Sequence, residues 1–255
     1  MRDQPAVDRC VVSSMKWIVV LTIGWLLSAP VLAALHPLEV HQVIEEPALE
    51  RDKVAALTLD ACGGRFDSSL IRSLIAHRIP ATIFATKKWL DRNPAGVALL
   101  LDHRDLFEIE DHGANHVPPV VGAGRSVYGI RGNADVAHLE QEVSGGATAI
   151  QAVTGASPRW YRGATAAYDP AAIQVIKAMG YQIAGFSVNA DSGATLRRAA
   201  IVARLQAVKS GDIIIAHMNK PASDTAEGLS AGLDYLIARG FRFVKLDEVQ
   251  VRQIR

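Results

Sequence analysis

Two kinds of hydrophobic pattern take turns along this chain. Short, mainly apolar runs recur at residues 54–60, 81–85, 107–110, 159–162, 182–188, 212–216 and 241–244. Between them, residues 68–77, 88–102, 136–153, 170–179, 197–208 and 225–238 carry apolar side chains at the three-to-four-residue spacing of an amphipathic helix. The punctuation agrees: Asp67 stands where an N-cap belongs, and Gly180 and Gly240 follow helical segments as C-terminal glycines do. The short runs are mainly apolar, so both faces of the sheet they form are covered, as in parallel sheets. Strand and helix alternate about seven times. The prediction is an α/β fold, a distorted (β/α) barrel of about seven parallel strands. Residues 117–135, rich in Gly and Pro, are too long for an ordinary connection and read as a loop over a site.

The first 33 residues follow a different rule. Lys16 precedes a nearly continuous apolar stretch, 17–27, and small residues lead up to Ala33. Basic, then apolar, then small is the order of a secretory signal peptide, with cleavage after Ala33 and Met15 as an alternative start. The apolar stretch is short for a membrane span. The expected organisation is a signal peptide over 1–33, an extension over 34–53, a catalytic domain over 54–249 and a tail over 250–255. The domain is expected in the periplasm or secreted, with no membrane contact beyond the signal peptide. Charge adds little: 27 Lys and Arg stand against 26 Asp and Glu, without a basic cluster, which argues against a nucleic-acid partner. Of the two cysteines, Cys10 precedes the cleavage point, so Cys62 has no disulfide partner in the processed chain.

The chemistry sits where the apolar runs stop. Asp60 ends the first, His112 and His116 follow the third, Arg162 ends the fourth, Asp191 follows the fifth and His217 ends the sixth. In a parallel barrel these strand ends share one rim, and that rim is where such folds build active sites. Imidazoles four residues apart can both reach one metal ion. Each residue alone has an ordinary explanation: Asp60 as a turn cap, Arg162 as half of a surface pair, His217 as a packed core histidine. Their common placement favours a site. Asn219, two residues after His217, and Arg131, in the long loop, are candidates for substrate contact.

In this order the residues resemble the motifs of the polysaccharide deacetylase family with the NodB homology domain, carbohydrate esterase family 4. The family's Thr-Phe-Asp-Asp-Gly is matched by Thr58-Leu59-Asp60-Ala61-Cys62-Gly63-Gly64, and its His-x-x-x-His by His112 to His116. Its Arg-x-Pro-aromatic is matched by Arg162-Gly163-Ala164-Thr165, its acid after a strand by Asp191, and its strand ending in histidine by Ile215-Ala216-His217. The resemblance covers residues 54–249 and implies a divergent member. It implies Asp60 as the general base toward a metal-bound water, and His112 and His116 as metal ligands. It further implies Arg162 as the residue holding the base, His217 as the general acid toward the leaving amine, and Asp191 as the acid that tunes it. The implied activity is metal-dependent hydrolysis of a non-peptide carbon–nitrogen bond, deacetylating N-acetylated amino sugars of a polysaccharide or peptidoglycan. The implied partner is an N-acylated glycan, and the implied cofactor a divalent metal, zinc foremost. Such a cation activates water and stabilises an oxyanion, and a histidine titrating near working pH suits protonation of nitrogen.

Two departures leave alternatives open. The family's second aspartate is a metal ligand, and Ala61 stands in its place. Either Asp60 joins His112 and His116 as the third ligand, or water or another carboxylate (Asp111, then Asp67) fills the gap, or no metal binds. The third motif has lost its proline and aromatic residue, leaving Tyr161 and Tyr168 as aromatic candidates that read more simply as core. Cys62 reads as a small buried residue, with a thiol nucleophile as the competing role. The readings are thus a metal-dependent deacetylase, a non-catalytic carbohydrate-binding relative, and a metal-free or thiol amidase. A metalloprotease is disfavoured because 112–116 lacks the glutamate of His-Glu-x-x-His. Chelation separates the first reading from the last: it abolishes acetate release by a metal-dependent enzyme and spares a thiol amidase. With Cys62 merely packed, Cys62→Ala is expected to leave that activity nearly intact.

Overall fold

The computed structural model describes residues 37–45 and 53–254; the segment expected as a signal peptide lies outside the described residues. One sheet is built from β1 (Lys53–Ala61), β2 (Ala81–Ala85), β3 (Phe107–Asp111), β4 (Trp160–Tyr161), β5 (Gln182–Ile183), β6 (Val188–Asn189), β7 (Ile213–His217) and β8 (Phe241–Val244). Its order is β5-β4-β3-β2-β1-β7-β6, with β8 on the first half of β1, and every pairing is parallel. The helices are α1 (Ser68–Ala76), α2 (Lys87–Arg92), α3 (Pro94–Asp102), α4 (Val136–Thr154), α5 (Pro170–Ala178), α6 (Arg198–Gln206) and α7 (Thr225–Ala238). None of the described helices is long and apolar enough to cross a membrane.

The predicted coverage of both sheet faces is visible along β1. Ala55, Leu57, Leu59 and Ala61 belong to the main core with Leu70 and Leu74 of α1 and Leu229 and Leu233 of α7. Val54 and Ala56 belong to a second cluster with Phe84, Ile213, Ile215 and Trp160, on the inner face. The last inner positions of β1, Thr58 and Asp60, are polar and buried. The inner face thus changes from apolar to polar toward the carboxyl ends of the strands.

Several elements depart from the sequence expectation, each for a local reason. The helix expected over 88–102 is two helices, because Pro94 lacks an N–H and disfavours helical backbone at Asn93. Asn93 instead ties down the segment after β1, accepting from the Phe66 N–H and donating to the Gly64 carbonyl. The strand expected over 182–188 is split into β5 and β6, which pair with opposite ends of the sheet, so residues 184–187 join those ends covalently in place of a ladder. The carbonyls of Ala184 and Gly185 are taken by the Arg162 guanidinium, and the Gly185 N–H by the Gln42 side chain. The segments read as extension and tail pair with each other, Gln42–Ile44 antiparallel to Val251–Gln253, while Leu38–Glu39 pairs with Ala167–Tyr168. The loop 117–135 contains a small hairpin, Ser126–Val127 with Ile130–Arg131.

β3 also breaks the rule of mainly apolar strands. Phe107 and Ile109 join the main core, whereas Glu108 and Glu110 point to the other face beside Asp247. Glu110 accepts from the backbone N–H groups of Arg159 and Trp160, at 2.8 and 2.7 Å. Burial, reinforced by the charges of Glu108 and Asp247, pushes the Glu110 carboxyl up to about 8 from an ordinary 4.5. Between those values the folded chain holds the proton more tightly than the unfolded chain does, so stability falls as pH rises through that window. Glu110→Gln keeps an acceptor oxygen for both N–H groups and removes the buried charge. Thermal melts should be similar for the two proteins at pH 5, and at pH 9 the variant should melt several degrees higher.

Candidate active site

Arg162, at the end of β4, is fully buried and organises the inner face. Its Nη1 donates to Thr58 Oγ1 at 2.8 Å and Asp60 Oδ1 at 3.0 Å, its Nη2 to the Gly185 carbonyl at 2.9 Å, and its Nε to the Ala184 carbonyl at 3.4 Å. The guanidinium also lies 4.3 Å over the Phe84 ring. Burial alone would raise the pKa of Asp60. The Arg162 charge, with those of His112 and His217, outweighs this and holds the carboxyl below its usual range. Asp60 is therefore an ionised carboxylate in a nearly dry setting.

Directly beside β1, β7 ends in His217, whose register partner is Asp60. Its Nδ1 donates to Asp191 Oδ1 at 2.9 Å, and Asp191 Oδ2 accepts from the His217 backbone N–H and from Thr225 Oγ1. Burial pulls the imidazole pKa down, but the Asp191 carboxylate, with Cys62, more than compensates and holds it well above the ordinary value. Asp60 and His217 line one cavity of about 490 Å³, together with Cys62, His116 and Asn219. Asn219 is buried, with its Oδ1 unpartnered. Arg131 is exposed on a leg of the hairpin and does not line the cavity; Tyr128, at the hairpin tip, does. Tyr161 and Tyr168 are fully buried core residues, and the Tyr168 hydroxyl accepts from the Gly163 N–H at 2.8 Å.

The segment after β3 carries the histidine pair. His112 Nδ1 donates to the Arg162 carbonyl at 2.6 Å, which turns Nε2 toward the cavity side. Burial would lower the His112 pKa, yet the charges of Asp60 and Cys62 raise it to about 9, a measure of how strongly the place favours positive charge. The three donors that converge are Cys62 Sγ, His112 and His116, all within 4.8 Å of one another, and this set fits one divalent cation. Asp60 stands outside the set, its Oδ1 on Arg162 and its Oδ2 3.8 Å from His112 Nε2. Neither alternative carboxylate joins it: Asp111 Oδ1 accepts from the Gly113 N–H, and Asp67 caps α1. Burial should raise the Cys62 pKa, but hydrogen bonding to His112, His116 and His217 holds it well below an ordinary thiol.

Two contributors escaped the motif reading. One is the grouping of Cys62, read from sequence as a packed residue or a nucleophile, with the two histidines, although period-two alternation from Thr58 through Asp60 returns it to the inner face. The other is Glu142 of α4, distant in sequence, whose buried carboxylate accepts from the N–H groups of Asn115 and Val117 at 2.8 and 3.0 Å. This grip holds the turn in which His116 adopts φ +67° and Gly113 φ +84°. A side chain at Gly113 would put Cβ 2.5 Å from Glu142 Oε1, so only glycine fits there. Glu142→Ala strands both N–H groups and should destabilise the fold by about 1–3 kcal/mol, read by urea denaturation.

A sequence model of the polysaccharide deacetylase family matches residues 49–184. No curated protein matches the chain. Among solved structures the chain is similar to a family 4 carbohydrate esterase from Streptomyces lividans in complex with acetate (19% identity, TM-score 0.61, covering 75% of this chain and 91% of that one). It is also similar to a family 4 acetyl xylan esterase from Clostridium thermocellum in complex with a cobalt ion (20%, 0.62, 77% and 89%). A family 4 pseudoenzyme from Bacillus anthracis shares the fold as well (18%, 0.64, 78% of this chain and 66% of that one), so the chain spans about two thirds of that protein's length. At these identities the likeness is one of fold. The match over more than half of the chain shows that the protein belongs to the polysaccharide deacetylase family, deacetylase-like hydrolases of carbon–nitrogen bonds other than peptide bonds.

Proposed function

We propose that the protein is a metal-dependent deacetylase of N-acetylated amino sugars in a polysaccharide or peptidoglycan, working in the periplasm or outside the cell. The observation that carries this reading is a base and an acid of opposite tuning on one cavity wall: Asp60, held ionised by Arg162, beside His217, held protonated by Asp191. Binding a glycan requires no such pair. His112 and His116 would hold a divalent cation, which when bound would supply a Lewis acid toward water and the amide oxygen. Asp60 accepts a proton from the attacking water through Oδ2, since Oδ1 is occupied by Arg162. His217 gives its Nε2 proton to the departing nitrogen as the C–N bond breaks, leaving a carboxylate product and a free amine. Asp191, fixed on Nδ1, keeps that proton on the cavity side. Asn219 and Tyr128 offer polar contacts to sugar hydroxyls.

Ala61 favours a second reading, a carbohydrate-binding relative without turnover. Acetate release from an N-acetylated oligosaccharide in the presence of zinc separates the two. His217→Ala should lower kcat by about 10²–10⁴. Asp191→Asn should lower it less, with KM little changed. Acetate release that is unaltered in His217→Ala removes the general-acid assignment, and none from the wild type favours the binding relative.

A further inference from the structure

We propose that the Cys62 thiolate replaces the carboxylate missing at Ala61, forming with His112 and His116 a Cys-His-His site for a thiophilic divalent cation, zinc or cobalt. The inference rests on the metal-dependent reading above. Position 61 is directed away from the site: Ala61 packs in the helix-facing core with Leu57 and Leu59. Strand alternation carries Thr58, Asp60 and then Cys62 to the inner face, and Cys62 lines the cavity beside Asp60 and His116. A carboxylate at 61 would need the strand to turn outward one residue earlier.

The distances suit the assignment. Zn–S and Zn–N bonds of about 2.3 and 2.0–2.1 Å in a tetrahedron put sulfur and nitrogen about 3.6 Å apart. Cys62 Sγ lies 3.5 Å from His112 Nε2, and the third donor, on His116, lies within 4.8 Å of both. The Nδ1–H donated to the Arg162 carbonyl leaves His112 Nε2 as the ligand atom and fixes the ring plane, the orienting contact that metal-bound histidines generally have. Three protein donors leave a coordination position open, as catalytic sites require. A thiolate with two imidazoles selects zinc or cobalt over the oxygen-seeking magnesium and manganese. Binding releases the thiol proton to solvent. Asp60 is then relieved of ligation and remains a base. The expectation that Cys62→Ala is nearly silent is reversed.

The test is the spectrum and affinity of the full-length protein loaded with cobalt or zinc. Cobalt-loaded wild type should show a near-ultraviolet sulfur-to-cobalt charge-transfer band, absent from Cys62→Ala. Zinc affinity in competition with a chelator should fall at least about a hundredfold in Cys62→Ala, where second-contact residues alone cost tenfold to a hundredfold. Cys62→Asp should recover binding without the band. Cys10 is present in every protein compared, so its contribution cancels. If Cys62→Ala fails to fold, Cys62→Asp takes its place in the comparison: a band present in the wild type and absent there supports the thiolate, and a band in both overturns it. One equivalent bound without the band, with Cys62→Ala binding as tightly, overturns the thiolate assignment and leaves the metal-dependent reading standing. A wild type that binds neither cobalt nor zinc overturns both.

Discussion

A guanidinium sealed inside a barrel needs a partner at each of its three nitrogens, and the arrangement around Arg162 follows from that requirement. A lone buried charge is prohibitively costly, and removing one partner of a buried pair costs about 3–5 kcal/mol. Asp60 supplies the countercharge, Thr58 an oxygen, and residues 184–185 two carbonyls. Those carbonyls are withdrawn from the sheet, which is why the strand between β5 and β6 is broken. The sheet edges this leaves are partly made good by chain from elsewhere: Val40 and Gln42 bond to Phe186 and Gly185. The Arg162–Asp60 pairing and a topological irregularity are therefore one event.

The same residue reaches the histidine pair through its backbone. Arg162 accepts from His112 Nδ1 with its carbonyl and donates its N–H to the Asp111 carbonyl. The orientation of Asp60 and the orientation of the His112 imidazole are thus set from one position directly after β4. His217 is oriented independently by Asp191, which is itself anchored by the backbone of β7 and by Thr225 at the start of α7. The two halves of the site meet because β1 and β7 are adjacent and in register at Asp60 and His217. Parallel pairing delivers both side chains at one level of the rim.

Loss of the carboxylate at position 61 looks at first like loss of a metal. Strand geometry gives it another sense, because position 61 faces the helices and position 62 faces the cavity. Exchanging the donor for a thiol one residue on keeps three donors in reach of one ion and changes its chemical preference toward soft metals. The histidine turn is held by Glu142 from a helix that begins twenty residues after His116, and this side chain accepts from the backbone N–H groups of Asn115 and Val117 and from the Asn115 side-chain amide. Precision in the turn comes from α4 rather than from the motif that supplies the ligands.

Much of this was already written in the chain. The alternation of apolar runs and helical spacing determined a parallel α/β barrel, because strands covered on both faces leave that mark. The residues that end the runs determined which polar side chains meet on the rim, because all parallel strands end on the same side. Only the tertiary structure decided the roles that depend on contacts remote in sequence. Asn93 and Pro94 break a helix to tie down the chain after β1, Arg162 unmakes a strand, and Glu142 holds a turn. Glu108 and Glu110 alternate with Phe107 and Ile109 along β3 because Leu246 and Asp247, and Arg159 and Trp160, bring N–H groups to meet them. Cys62 was visible as a residue and illegible as a donor, since its role depends on two imidazoles fifty residues away arriving within bonding reach of one point.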